Sequence, residues 1–151
     1  MVIEIGEKFM FEVLVGTIVL NDNKVLMVQE VKEEAKGLLN IPAGHLEANE
    51  TLVDAAKREV LEETGFNVEI TELIDTQYFE GKNKNYVTFI FRGKIENRGA
   101  DEHELKFDYY EIDYIRQNTH LLRKDKLILS ALDKLNKGSA DAIRILNNKP
   151  F

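Results

Sequence analysis

The stretch AAKREVLEETGF, residues 55–66, carries the most information about how the chain folds. Its spacing predicts the end of a helix that Gly65 terminates. Glu59, Glu62 and Glu63 fall in the last turns, where the partial negative charge of a helix C-terminus disfavours carboxylates. Positions i, i+3 and i+4 share one helix face, so these acids also repel one another. Such a placement needs an explanation outside the helix itself.

The direction of the acids on the helix favours a metal site over a solvated surface. Glu59 and Glu63 bracket the direction of Leu52 on the small, apolar side of the helix, which predicts that they point toward the protein body. Partly buried like charges are costly unless they are paired or metal-bound. Arg58 can offset one of them, and the remainder suit a hard divalent cation such as Mg²⁺ or Mn²⁺. The alternative is an ordinary solvated acidic face.

Composition limits the class of protein. The chain has 151 residues, 44% of them hydrophobic, which suits one domain spanning 1–151. There is no cysteine, so disulfides and Cys-based zinc sites are excluded. The net charge of −7 argues against broad binding to nucleic acid or membrane through a basic surface. Neither a signal peptide nor a membrane-length apolar run is evident, and a soluble, cytoplasmic protein is expected.

Strands interleave with two helices along the chain, which predicts an α/β or α+β sandwich. Thr51, followed three residues later by Asp54, has the spacing of a capping box at the start of the acidic helix. Turn residues at 21–24 and 80–85 predict two hairpins. The predicted elements are strands at 9–20, 25–31, 67–79, 86–96 and 105–112, and helices at 51–64 and 120–138.

The segment from Gly44 to Phe66, GHLEANETLVDAAKREVLEETGF, resembles the signature of the Nudix hydrolases, Gly-x5-Glu-x7-Arg-Glu-U-x-Glu-Glu-x-Gly-U, where U is a bulky aliphatic residue. Phe66 is aromatic at the last U, and Ala43 stands where many members have a second glycine. The resemblance implies a Nudix-type α/β/α sandwich with a mixed central sheet. The matching positions are Gly44, Glu50, Arg58, Glu59, Val60, Glu62, Glu63, Gly65 and Phe66.

By this resemblance the chain is a MutT-like, Mg²⁺-dependent hydrolase of phosphoanhydride bonds, with Mn²⁺ as a substitute cofactor. Glu59, Glu62 and Glu63 are implied as metal ligands, and the Gly44 carbonyl as a further ligand. Arg58 is implied to orient the acids and to pair with Glu50, while Glu59 is also a candidate base. The metal would polarise phosphoryl oxygens and lower the pKa of the attacking water, whose proton a carboxylate would accept.

Further acids and a histidine near the motif are candidates for the site. Other family members use an acid from outside the motif, and Glu104 is the first candidate here, with Glu102 second. For either residue, a solvated loop acid is the alternative. His45 is a candidate for contacting phosphate, with a structural or solvent-facing role as the alternative. Glu47, two residues on, is a candidate to assist at the metal and substrate.

Cations and aromatic residues elsewhere in the chain supply weaker candidates. Lys82 and Lys84, in the loop predicted at 80–85, could attract phosphates, although exposed surface lysines have the same pattern. Tyr109, Tyr110 and Tyr114 could stack on a base, whereas core packing is the alternative for aromatics at a strand–helix junction.

The likeness extends to a Nudix phosphatase subgroup that acts on thiamine-related pyrophosphates and on nucleoside triphosphates and diphosphates. One alternative substrate class is a nucleotide sugar such as ADP-ribose. An alternative of a different kind is that the chain is a non-catalytic ligand-binding domain, since a fold does not determine a function. The expected partner is a small phosphorylated molecule, and binding to a membrane or to a specific nucleic acid is not expected. The protein itself is expected to be a monomer or a homodimer.

Overall fold

Strand β1, Phe11–Asn21, lies at the centre of a mixed sheet in the computed structural model, which describes residues 10–147. It pairs antiparallel with β2, Lys24–Gln29, and parallel with β6, Asn85–Arg98. β5, Phe66–Glu80, forms a long hairpin with β6 at one side. The short strands are β3, Leu39–Asn40, β4, Ala43–His45, and β7, Phe107–Glu111. The order across the sheet is β3-β2-β1-β6-β5, with β4 on β1 and β7 on β2.

Helices cover both faces of the sheet. They are α1, Leu52–Thr64, α2, Ile112–Gln117, α3, Asp125–Asp133, and α4, Asp141–Leu146, with 3₁₀ turns at Glu33–Ala35, Thr119–Leu121 and Leu135–Lys137. Alternate residues of β1 point to opposite faces: Val15 and Val19 pack with α1, and Ile18 packs with α3. The predicted α/β/α sandwich is confirmed. No helix between residues 10 and 147 is long and apolar enough to cross a membrane.

Most predicted elements are confirmed, with shifted ends. The strand expected at 9–20 begins at Phe11, and the position predicted to start it, Phe9, lies outside the described residues. Both hairpins form: β1 turns into β2 through Asp22, which has a φ of 56°, and the β5–β6 loop narrows to residues 81–84. Thr51 and Asp54 form the capping box, and Gly65 ends α1 with a φ of 82°.

The helix predicted over 120–138 was too long. α3 covers only Asp125–Asp133, because the chain before it is held to the sheet. Leu122 bridges Leu39, and the Arg123 N–H donates to the Leu39 carbonyl at 2.9 Å. After α3 the backbone tightens into a 3₁₀ turn. Two six-residue helices, α2 and α4, were missed because one or two turns carry little periodic signal.

Asp75 ties β5 to α3 through a buried polar cluster. Its carboxylate accepts hydrogen bonds from Lys134 Nζ at 2.7 Å, Gln77 Nε2 at 2.7 Å and Ser130 Oγ at 3.1 Å. Burial alone would raise the pKa of Asp75, but these hydrogen bonds outweigh it and hold the pKa below its usual value. The carboxylate is therefore stabilised in its charged form inside the fold.

Asp75→Asn is expected to lower the free energy of unfolding by about 1–3 kcal/mol at pH 7, because it removes a buried carboxylate that accepts three hydrogen bonds, one of them from the half-exposed Lys134. A depressed folded pKa stabilises the fold above the unfolded value of about 3.9 and loses that contribution as pH falls through the folded pKa. The deficit should therefore shrink below about pH 4. Urea unfolding of both proteins from pH 7 to pH 3 measures it. Asp133→Asn, on the exposed Arg116 pair, is the control, and equal deficits in the two variants would contradict the prediction.

Candidate active site

The last turns of α1 lie directly over strand β4, and this contact places the acids. The carboxylate of Glu59 lies against Gly44, where any side chain's Cβ would overlap it. The backbone N–H of Ala43 donates to Glu63 Oε1 at 2.8 Å. A side chain at position 44 would therefore displace the Glu59 carboxylate from its present place, and the N–H of Ala43 fixes the second acid.

Arg58 links four groups around the acidic face. Its guanidinium donates to both oxygens of Glu50, at 3.0 and 2.8 Å, in the paired geometry that holds a carboxylate most firmly. It also donates to Glu59 Oε1 at 2.7 Å, to Glu62 Oε2 at 3.3 Å and to the His45 carbonyl at 2.9 Å. The Glu50 carboxylate raises the pKa of Arg58, which remains charged. The predicted pairing of Arg58 with Glu50 is present.

Burial distinguishes two of the acids from the third. The side chains of Glu59 and Glu63 are mostly enclosed, whereas that of Glu62 is 41% exposed. Burial raises the pKa of Glu63 to about 8, despite the Ala43 hydrogen bond. Burial also raises the pKa of Glu59, and the hydrogen bond from Arg58 offsets only part of this effect. In the absence of a cation, these carboxylates are poorly stabilised as anions.

A loop from elsewhere in the chain caps the acidic end of α1. The N–H of Glu104 donates to the Glu62 carbonyl at 2.9 Å, and the N–H of Leu105 donates to the Glu63 carbonyl at 3.2 Å. Terminal helix carbonyls need such partners. The contact also brings the Glu104 side chain to the site, where its charge helps to raise the pKa of both Glu59 and Glu63.

These acids line a cavity of about 910 Å³, a size typical of small-molecule sites. Apolar and aromatic side chains, among them Leu14, Ile41, Phe79 and Tyr86, form other parts of the wall, and the segment 123–126 adds positive charge. The carboxylates that line the cavity are Glu12, Glu30, Glu47, Glu59, Glu62, Glu63 and Glu104, with Asp125.

The donor set suits a hard divalent cation. Several carboxylates line the acidic part of the cavity, and burial penalises those whose charge no cation compensates. Within residues 10–147, no three acidic or histidine side chains are drawn together as a closed metal cluster. Arg58 and Ala43 hold the acids in their present directions. Mg²⁺ does not require such a cage, because it is usually bound by one or two carboxylates and keeps several waters.

Most of the site residues predicted from sequence come together at this cavity. Gly44, His45 and Glu47 line it, as do the three helix acids and Glu104, while Glu102 is not among its lining residues. His45 Nε2 lies 2.8 Å from Glu12 Oε2. Glu47 is 65% exposed and 3.6 Å from Arg58.

The two lysines predicted to attract phosphates differ in their surroundings. Lys82 lies in the 81–84 turn and is not among the residues that line the cavity. Lys84 forms an ion pair with Glu12, and this contact raises the pKa of Lys84. Neither is assigned to substrate binding, because one lies away from the cavity wall and the other has its charge neutralised.

The three tyrosines considered for stacking on a base are not among the residues that line the cavity. Tyr110 and Tyr114 stack with ring centroids 5.8 Å apart, and Tyr109 joins the core cluster beneath α1. Sequence reasoning missed several lining residues, among them Glu12, Glu30, Phe79 and Lys124. The run RKDK at 123–126 was a signal for the last of these, but it was assigned to a continuous helix.

Comparison with known proteins identifies relatives of this arrangement. Residues 10–129 match the family model described as NUDIX domain. The 8-oxo-dGDP phosphatase NUDT18 of Mus musculus is 33% identical over 104 residues, covering 64% of this chain and 31% of that protein. Phosphatase NudJ of Escherichia coli (strain K12) is 40% identical over 85 residues, covering 56% of this chain and 55% of that protein.

A solved structure agrees with the sequence relatives. The NUDIX hydrolase from Nitrosomonas europaea superposes with a TM-score of 0.77 at 27% identity, covering 93% of this chain and 97% of that one. The matches to the two curated relatives span about a third of one and just over half of the other.

Proposed function

The chain belongs to the Nudix family and is a Nudix phosphohydrolase, and we propose that it hydrolyses phosphoanhydride bonds of nucleoside diphosphates and triphosphates with Mg²⁺. The observation that carries this proposal is the pair of enclosed carboxylates, Glu59 and Glu63, held beside Gly44 on the wall of a nucleotide-sized cavity. The relatives named as phosphatases support the same class of reaction.

Mg²⁺ would be held by Glu59, Glu62 and Glu63, with the Gly44 carbonyl as a further ligand. When bound, it supplies a Lewis acid for the phosphoryl oxygens and a lowered pKa for the attacking water. Arg58 keeps Glu59 and Glu62 in position through its hydrogen bonds. The backbone N–H of Ala43 orients Glu63 without taking up its second oxygen.

Two carboxylates are candidates to accept the proton of the attacking water. Glu59 is enclosed, and burial brings its pKa closer to neutrality, as a general base requires. Glu104 lines the cavity from the loop that caps α1 and interacts electrostatically with Glu59. Separate Glu59→Gln and Glu104→Gln variants distinguish the two candidates. In the variant that lacks the general base, kcat should no longer rise with pH as that carboxyl group loses its proton.

We also propose that residues 1–151 form one catalytic domain. The family match ends at residue 129, but the chain beyond it packs onto the same core. Ile143 and Leu146 of α4 join the hydrophobic cluster beneath α1, and Thr51 donates to Asn147 Oδ1 at 3.2 Å. Removing residues 140–151 should therefore lower the melting temperature rather than leave a fully stable core.

A phosphate-release screen tests the substrate class. Nucleoside diphosphates and triphosphates, an ADP-ribose-type nucleotide sugar and thiamine diphosphate should be compared at equal concentration with Mg²⁺. We expect the highest kcat/KM among the nucleoside phosphates. Preference for the nucleotide sugar would assign the alternative substrate class, and binding of these ligands without turnover of any would identify a non-catalytic domain.

Metal dependence is the first property to measure in that screen. Hydrolysis should require Mg²⁺ or Mn²⁺, because the enclosed acids need a cation to act as ligands and because the water needs activation. Excess EDTA is expected to abolish turnover, and added Mg²⁺ should restore it. Ca²⁺ added at the same concentration controls for simple charge neutralisation. Undiminished hydrolysis in EDTA would contradict the mechanism.

A further inference from the structure

Lys124 lies half-buried on the cavity wall. Among the described residues, none forms a hydrogen bond or ion pair with its ammonium group. The adjacent Arg123 differs, since its guanidinium lies 3.1 Å from Glu30 and 3.7 Å from Glu34. Removing an ammonium group from water without a partner is costly, so this arrangement points to a ligand.

The backbone on both sides fixes the position of Lys124. On its N-terminal side, the Arg123 N–H donates to the Leu39 carbonyl at 2.9 Å, which ties the chain to the sheet edge. On its C-terminal side, the Lys124 carbonyl accepts from the Ile128 N–H at 3.0 Å and begins helix α3. The side chain therefore extends from a rigid junction and not from a mobile loop.

Electrostatic interactions place Lys124 near the acidic part of the cavity. Burial lowers the pKa of Lys124, the charges of Arg123 and Lys32 lower it further, and Glu30 raises it. The same Glu30 carboxylate acts on Glu63. Glu30 thus interacts electrostatically with both Glu63, one of the proposed metal ligands, and Lys124.

Other cations share this wall. Lys32 and Lys126 also line the cavity, so three lysines face it in a protein whose net charge is −7. Two acids lie on the same wall: Glu30 pairs with Arg123, and one oxygen of Asp125 already accepts the backbone N–H of Lys126 at 2.8 Å. The wall therefore favours an anion next to a site that favours a cation, which suits a phosphate chain bound to a metal.

We propose that Lys124, supported by Lys32, binds a substrate phosphate that is not attacked, and that it thereby selects substrates with a free terminal phosphate. The inference rests on the proposed function. Nucleoside diphosphates and triphosphates carry a terminal phosphate with more than one negative charge. In a nucleotide sugar both phosphates are esterified, so this extra charge is missing, and Lys124 contributes less to binding.

Steady-state kinetics of Lys124→Met test the proposal, with Lys124→Arg to retain the charge. A lost charge-assisted hydrogen bond corresponds to a rise of about tenfold to hundredfold in KM for a nucleoside triphosphate. We expect kcat to change little and the KM for ADP-ribose to rise much less. Lys124→Arg should recover most of the affinity. Lys137→Met, an exposed lysine outside the cavity, is the matched control and should behave as wild type.

Direct binding separates this inference from the proposed function. Calorimetric titration of inorganic triphosphate in the presence of Mg²⁺ should show a dissociation constant about tenfold or more weaker for Lys124→Met than for Lys137→Met. If wild type binds triphosphate through Lys124 but turns over no nucleotide, the proposed function fails and the anion site stands. Equal binding by the two variants, or no binding by wild type, overturns the inference even if hydrolysis is confirmed. Matching circular dichroism spectra verify that both variants are folded.

Discussion

Replacing Arg58 with alanine is expected to lower kcat by at least about a hundredfold, the typical cost of a misplacement of about 1 Å in a catalytic group. The guanidinium holds Glu50 in paired geometry and binds Glu59 and Glu62 at the same time. Without it, the acids repel one another and can leave the directions in which they would bind a cation. The variant should also lose about 3 kcal/mol of stability, because partly buried carboxylates lose their partner.

Two further variants make the Arg58 result specific. Arg58→Lys keeps one positive charge but cannot pair with both oxygens of Glu50, so it should recover part of the stability and little of kcat. Arg116→Ala removes an exposed guanidinium that lies 2.8 Å from Asp133. It should leave kcat unchanged and alter the free energy of unfolding by no more than about 1 kcal/mol. Turnover and urea unfolding are measured for all three. A fully active Arg58→Ala would show that the acids need no such support.

The sequence predicted the parts of the site that depend on local signals. Thr51 and Gly65 mark the ends of α1 because capping chemistry acts within one turn. The eight-residue spacing between Glu50 and Arg58 belongs to one loop–helix unit, and the structure contains that pairing. The inward direction of Glu59 and Glu63 followed from helical periodicity, and both are enclosed.

The remaining lining residues could not be found in this way, because they arise from pairing between distant segments. Glu12 reaches the cavity because β4 lies beside β1, with Leu14 opposite His45. Lys124 reaches it because the chain before α3 joins the short strand β3. Lys84 pairs with Glu12 because β1 and β6 run parallel. Neither periodicity nor capping chemistry encodes these pairings, so the sequence alone did not indicate that Lys84 pairs with an acid.

The contacts of α1 explain why acids are tolerated at the C-terminal end of this helix. The last carbonyls of α1 are not left bare, since the N–H groups of Glu104 and Leu105 bind them. Part of the negative end of the helix is thereby neutralised by a loop that itself adds a further acid, Glu104, to the site. Arg58 offsets part of the remaining charge, and in the proposed function a bound cation would offset the rest.

Converting Glu63 to glutamine is expected to reduce turnover by at least about a hundredfold and yet leave the metal-free protein as stable as wild type or more so. Burial raises the pKa of Glu63 to about 8, so at pH 7 without metal the group is mostly neutral, as glutamine is. Glutamine Oε1 can still accept the Ala43 N–H that Glu63 accepts at 2.8 Å. What the variant loses is the proposed anionic ligand for Mg²⁺.

Thermal melting with and without Mg²⁺ separates these effects. A cation that binds only the folded state stabilises it by about 3 kcal/mol when its free concentration is a hundred times its Kd. Wild type should gain this amount, and Glu63→Gln far less at the same Mg²⁺ concentration. Glu69→Gln, an exposed acid on β5, removes the same charge and should respond to Mg²⁺ as wild type does. If Glu63→Gln were markedly less stable in EDTA and still active, the carboxylate would be a structural group, and the acidic face of α1 would need an explanation other than metal binding.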